Sequence, residues 1–169
     1  MIPPNPETEI AVLLQMAKDK RKKTQDFLRR LRRQNPHNLD SLVHPLHDEV
    51  FADTDCLKCA NCCKTTSPRF TDKDIARIAR HLRMKPSLFV EEYLHLDEEN
   101  DYVLNAVPCP FLGYDNYCSI YEERPKACRE YPHTNQKKIH QILRLTEKNA
   151  EICPATFRIV EKLREIMEN

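Results

Sequence analysis

Cys56-Leu57-Lys58-Cys59-Ala60-Asn61-Cys62-Cys63 is the stretch that decides the fold. Three cysteines at two-residue spacing allow a curled loop to turn its thiols toward one metal. Zinc ribbons use C-x2-C pairs in this way, and bacterial ferredoxins use C-x2-C-x2-C. A single buried cysteine often packs as a small hydrophobe, but four within eight residues do not fit that use. The vicinal pair Cys62-Cys63 adds a complication, because adjacent side chains diverge. Either two sites share the segment, or one centre is polynuclear, or one of the pair packs beside the centre.

Working outward, the other cysteines are Cys109, Cys118, Cys128 and Cys153, and Pro follows both Cys109 and Cys153. Proline fixes the local backbone, and the ferredoxin signature also carries a Cys-Pro. All eight are candidate metal ligands: Cys56, Cys59, Cys62, Cys63, Cys109, Cys118, Cys128 and Cys153. Thiolates suit soft metals, and four of them around Zn2+ or a cluster leave a net negative charge for nearby cations to offset. Lys58, Lys64, Arg124, Lys126 and Arg129 lie close in sequence to the thiols. Arg124 and Arg129 flank Cys128 and are the candidates for holding or tuning a bound cofactor from outside its ligands. Their other reading is a loop brace to Glu122, Glu123 or Glu130. Among the histidines, His133 stands nearest the cysteines as a substitute ligand, and His44 and His47 can share a helix face.

These motifs resemble a known family. Cys56-x-x-Cys59-x-x-Cys62-Cys63, Cys109-Pro110-Phe111-Leu112, the run from Cys118 through Arg124-Pro125 to Cys128-Arg129, and Tyr131-Pro132 are together similar to the CxxCxxCC domain. This is also called the YkgJ-type cysteine-cluster family, of zinc- or iron-chelating proteins. The resemblance covers residues 56–132, and Cys153 fits a later Cys-Pro. It implies metal chelation without fixing an activity. Ala60 departs from the family, which usually has Gly there, so a loop without positive φ is expected at this point.

Net charge is +1, with an uneven spread. Residues 18–33 hold nine Lys/Arg against Asp19 and Asp26, whereas residues 91–101 gather Glu91, Glu92, Asp97, Glu98, Glu99 and Asp101. The basic run is a candidate surface for an acidic partner or nucleic acid, beside the plainer reading of a solvated helix face. Gly113 is the single glycine, which excludes G-x-G-x-x-G and Walker loops. No serine lies in a G-x-S-x-G context. No apolar run is long enough to span a membrane, and residues 1–7 lack the basic start and apolar stretch of a secretory signal. A cytoplasmic location follows as the expectation. There, thiols serve metals more often than disulfides.

Periodicity predicts one long helix over 6–34, capped by Asn5 and packed by its 10–17 end with the basic stretch exposed. A short helix is expected over 45–51. Thr71-Asp72-Lys73-Asp74 reads as a capping box opening a helix. Pro86 and Ser87 open another through Leu96. Residues 101–107 and 117–121 read as strands around the turn at 113–116. Pro154 opens a last helix to about Met167, and 136–148 is ambiguous. The fold class is mainly α: a small single domain of helices around a cysteine-rich, metal-bound loop core, with a small β-hairpin. The organisation is a helical extension with the basic stretch over 1–50 and a cysteine-cluster domain over 51–169.

The function read from these residues is a metal-binding protein with a structural or redox centre. An iron–sulfur cluster is the first choice and zinc the second. The alternatives are an iron–sulfur-dependent enzyme that modifies protein or nucleic acid, and a metal storage or delivery protein.

Overall fold

The structure is a computed structural model that describes residues 6–168. It is mainly α-helical with one two-stranded antiparallel hairpin. The chain forms two compact units. One runs up to Cys59 and resumes at Pro132; the other is Ala60–Tyr131. The Asn5 cap lies outside the described residues.

The first, helical unit contains α1 (Pro6–Asp19), α2 (Arg21–Gln34), α3 (Leu39–Phe51), α4 (Cys56–Cys59), α9 (Leu143–Ile152) and α10 (Pro154–Glu168). The expected single helix over 6–34 is broken at Lys20, whose φ of −92° and ψ of 4° leave the helical well. Backbone bonds still cross the break, from Lys20 N to Met16 O and from Thr24 N to Lys20 O, both at 2.9 Å. The result is a bend, and it falls where charge interrupts the apolar stripe. Of the 10–17 end expected to pack, Ala17 is buried, while Ile10, Leu13 and Leu14 are only half-buried; Thr24, Phe27, Leu28 and Leu31 of α2 are buried. Phe27, Leu28 and Leu31 join Leu39, Val43 and Val50 of α3, Leu143 of α9, and Ile159, Val160 and Leu163 of α10 in one core. Helix α3 starts six residues before the expected 45 and accommodates Pro45 internally.

The basic stretch stays largely exposed, as expected, and four of its cations also carry ion pairs. Lys20 pairs with Glu161 at 2.5 Å, Arg21 with Glu151 at 3.0 Å and Arg32 with Glu147 at 3.2 Å, and Arg30 pairs with Glu168. The acids come from α9 and α10, more than a hundred positions away. Apolar contacts hold these helices together, and the partly exposed ion pairs add little to that packing.

The second, cysteine-bearing unit contains α5 (Asn61–Thr65), α6 (Asp72–His81), α7 (Pro86–Tyr93), β1 (Leu94–Leu96), β2 (Tyr102–Leu104) and α8 (Lys126–Glu130). The Thr71 capping box forms as expected. The Thr71 hydroxyl accepts from Asp74 N, and the Asp74 carboxylate accepts from Thr71 N. Its core gathers Phe70, Ile75, Ile78, Phe89, Leu94, Leu104, Phe111 and Ile120, with Cys109 and Cys118 packed against it.

The hairpin is placed differently from the expectation. β2 pairs with β1, in the register Leu94–Leu104, His95–Val103 and Leu96–Tyr102. So α7 stops at Tyr93 rather than Leu96. The 117–121 segment contributes only a single bridge, Leu112 to Cys118, before a 3-10 turn over Tyr121–Glu123. The 136–148 segment resolves into a 3-10 turn (Ile139–Ile142) followed by α9.

Candidate metal centre

The cysteine-bearing unit holds Cys62, Cys63, Cys109, Cys118 and Cys128; the helical unit holds Cys56, Cys59 and Cys153. No two of the eight are disulfide-bonded.

The CxxCxxCC loop turns at Ala60, which adopts φ 47° and ψ 15° and is buried. The expectation of a loop without positive φ is therefore corrected. Ala60 takes the left-handed conformation that suits glycine, at a steric cost to its Cβ. That turn starts α5 and places Cys62 and Cys63 on its first turn. Their Sγ atoms lie 4.0 Å apart in hydrogen-bonding contact.

Cys109 is fixed to this segment by its amide, which donates to Cys63 O at 2.8 Å. Cys118 follows the turn at Gly113. There Gly113 N donates to Tyr117 O at 2.7 Å, and Asn116 takes φ 65°. A Cβ on Gly113 would meet Asp115 Oδ1 at 2.6 Å and Tyr117 O at 3.2 Å, so the single glycine sits where a side chain is not accommodated. Cys128 lies on α8, behind Arg124-Pro125.

Four of these thiols act on one another electrostatically. The contact with Cys62 lowers Cys63 to about 7, against the opposing effect of burial. Burial, with the charges of Cys63 and Cys118, pushes Cys109 up to about 11. Burial and Cys63 raise Cys118, which Arg124 opposes. Burial and the charges of Cys63, Cys109 and Cys118 push Cys128 up to about 12, again against Arg124. Every pair among Cys63, Cys109, Cys118 and Cys128 is thus coupled. A cation placed among them would reverse the penalty on their ionised forms. Among the described residues, no three His, Cys, Asp or Glu side chains are gathered tightly enough to hold a metal ion in these side-chain positions. The four thiols are neighbours rather than a closed cage, and their number and softness fit a thiolate-bound metal.

The two candidate arginines bind carbonyls rather than the neighbouring glutamates. Arg124 donates through Nη1 to Tyr121 O, and its guanidinium lies 3.8 Å from the centre of the Tyr121 ring. Arg129 donates to Arg124 O at 2.8 Å. Arg124 is therefore a held cation whose field reaches Cys118 and Cys128.

In the helical unit, Asp55 caps α4 by accepting from Leu57 N at 3.0 Å, and Cys56 is exposed while Cys59 is half-buried. Cys153 precedes Pro154 at the start of α10. Its Sγ accepts from Thr156 N at 3.5 Å, and it packs on the unit's core. His47 Nδ1 meets Thr134 Oγ1 at 2.7 Å and His44 Nε2 meets Gln136 O at 2.9 Å, so both have partners within the protein. His133 takes φ 68° in the same unit.

The family model CxxCxxCC, described as "Putative zinc- or iron-chelating domain", matches residues 55–154, more than half of the chain. The chain belongs to this family. The matched span contains all eight cysteines, and membership indicates metal chelation. No curated protein and no solved structure matches the chain. No helix among the described residues is long and apolar enough to cross a membrane.

Sequence reasoning gives no signal for the contact that Asp74 makes with the segment before Cys128. The sequence marks Asp74 only as part of a helix cap. Its other carboxylate oxygen, Oδ1, accepts from Lys126 N at 3.1 Å, at the start of α8. Its spacing from Thr71 is the only sequence signal it gave.

Proposed function

We propose that the chain holds a metal centre through the thiolates of Cys63, Cys109, Cys118 and Cys128, in a structural or redox role. The observation that carries this is the backbone pairing that joins the Cys63, Cys109 and Cys118 segments within one compact unit, by the bond from Cys109 N to Cys63 O at 2.8 Å and the Leu112–Cys118 bridge, with the charges of all three acting on Cys128. An iron–sulfur cluster is the first candidate, favoured among these donors by the Cys109-Pro110 element. Zinc is the second, favoured by four donors from separate segments that can close a tetrahedron. Cys62, in contact with Cys63, tunes that ligand. Cys56, Cys59 and Cys153, in the helical unit, lie outside this ligand set. Arg124 offsets thiolate charge, and Arg129 fixes the carbonyl of Arg124.

Metal and acid-labile sulfide analysis with absorption spectra, on protein purified without air, tests the reading. Iron with sulfide and thiolate-to-iron absorption is the expected result. Colourless protein with stoichiometric zinc and no sulfide would move the centre to zinc. Protein that carries neither, and takes up neither on reconstitution, would overturn the reading.

A further inference from the structure

Helix α6 carries an acid that its own packing does not require. Asp74 is 1% exposed, and burying a carboxylate is costly unless it is paired and hydrogen-bonded. Its two oxygens accept from Thr71 N at 3.0 Å, Thr71 Oγ1 at 2.6 Å, Arg77 Nη2 at 2.7 Å and Lys126 N at 3.1 Å. The capping box needs only the first of these. Lys126 N belongs to another segment, and Arg77 reaches the same one. Arg77 Nη2 also donates to Glu123 O at 3.3 Å and Arg124 O at 3.1 Å, and its Nε stands 3.1 Å from Glu123 Oε2. The segment gripped in this way is Glu123-Arg124-Pro125-Lys126, directly before Cys128.

The grip has two effects. It supplies the first amide of α8 with an acceptor, which fixes where that short helix begins and where Cys128 emerges. It also clamps the carbonyl of Arg124, which Arg129 holds from another side, so that the Arg124 guanidinium stays over Tyr121 beside the thiols. A five-residue helix has too few internal bonds to hold its own position.

We infer that Asp74 and Arg77 are positioning residues for the metal centre, setting the placement of Cys128 and Arg124 through the backbone of residues 123–126. This rests on the thiolate reading above. A centre so clamped should hold its metal longer than one whose fourth ligand sits on a loose turn.

The test uses Co2+ bound to the full chain, because its thiolate charge-transfer and ligand-field bands report ligand geometry. Wild type, D74N, D74A, R77K, R77M and the control R69M are compared. R69M removes an exposed ion pair to Asp101 in the same unit. The variants at 74 and 77 should bind Co2+ stoichiometrically with altered ligand-field bands. R77M and D74A should release it to excess EDTA at least tenfold faster than wild type. D74N and R77K should fall between, and R69M should match wild type. Bands and release rates of R77M and D74N equal to wild type would overturn the inference while leaving the thiolate centre standing. A wild-type chain that carries no iron, zinc or sulfide as purified without air and shows no thiolate–Co2+ absorption would instead remove the reading beneath it. If D74A does not fold, D74N and R77K decide, since both retain polar partners.

Discussion

The amide of Cys109 donates to the carbonyl of Cys63 at 2.8 Å. This bond joins the CxxCxxCC segment to the Cys-Pro segment 46 positions later, independently of any metal. Residue 109 has proline on both sides, at 108 and 110, so its amide is the one donor in that run. The ligand scaffold is thus partly built by the backbone before the thiols are engaged.

Ala60 carries a cost that can be measured. A Cβ in the left-handed region costs roughly 1–2 kcal/mol, and glycine's greater unfolded-state freedom offsets part of it. A60G should therefore stabilise the protein by about 0.5–1 kcal/mol, read as a higher urea midpoint at unchanged slope. A60V should destabilise it, because a β-branched side chain tolerates φ 47° worse.

Gly113 gives the opposite result. G113A drives a Cβ against Asp115 Oδ1 and Tyr117 O, with a cost of about 1–2 kcal/mol. Asp115 Oδ1 also accepts from Tyr117 N at 3.0 Å, so the two positions are coupled. In a D115A background the cost of G113A should fall, and a double-mutant cycle by chemical denaturation measures the difference. Strict additivity would contradict the contact.

Much of this architecture could be read from residues close together in sequence. The Thr71–Asp74 box, the helix opened by Pro154 and the turn at 113–116 are local, and each forms where the sequence places it. What escaped depends on distant partners. Leu94, His95 and Leu96 continue a helical pattern, yet they become a strand because Tyr102–Leu104 offers a ladder. The glutamates that pair with Lys20, Arg21, Arg30 and Arg32 come from α9 and α10, and the basic run alone does not show them. The motif marked all eight cysteines as ligands. Their division between two compact units, and the coupling of four, depend on how the chain returns at Cys109, Cys118 and Cys128. Asp74 was legible as a cap and illegible as a clamp, because its second partner lies 52 positions away.

Acid should weaken the helical unit in two windows. Burial depresses His47 below its ordinary 6.5, so the neutral form is favoured in the fold. Its contribution is complete above pH 6.5 and declines as pH falls through the depressed value. For Glu161, burial raises the carboxyl, but hydrogen bonds from Arg164 and Lys20 outweigh it, leaving it below the ordinary 4.5. That contribution is present above pH 4.5 and is lost at lower pH. H47Q should flatten the upper window. E161Q should flatten the lower one and cost about 2–4 kcal/mol near neutral pH, because Arg164 and Lys20 lose a buried partner. Denaturation midpoints across pH 3–8 check both signs.

Metal uptake should release protons. Burial holds Cys109, Cys118 and Cys128 toward their protonated forms, and only Cys63 is lowered, to about 7, by its contact with Cys62. Loading a single divalent ion with four thiolates at pH 7 should then release roughly three to four protons, and apparent affinity should rise with pH. Calorimetry of Zn2+ binding in buffers of different ionisation enthalpy counts them. A release near zero would mean that the thiols are not the ligands.

The most direct test of the thiolate centre is the metal content of the C63S/C109S/C118S/C128S chain against wild type, both purified without air and analysed for iron, zinc and sulfide. Wild type should carry stoichiometric metal, the variant should carry none, and the variant's thermal midpoint should fall toward that of metal-stripped wild type. A variant that kept the wild-type metal content and melting temperature would contradict the account.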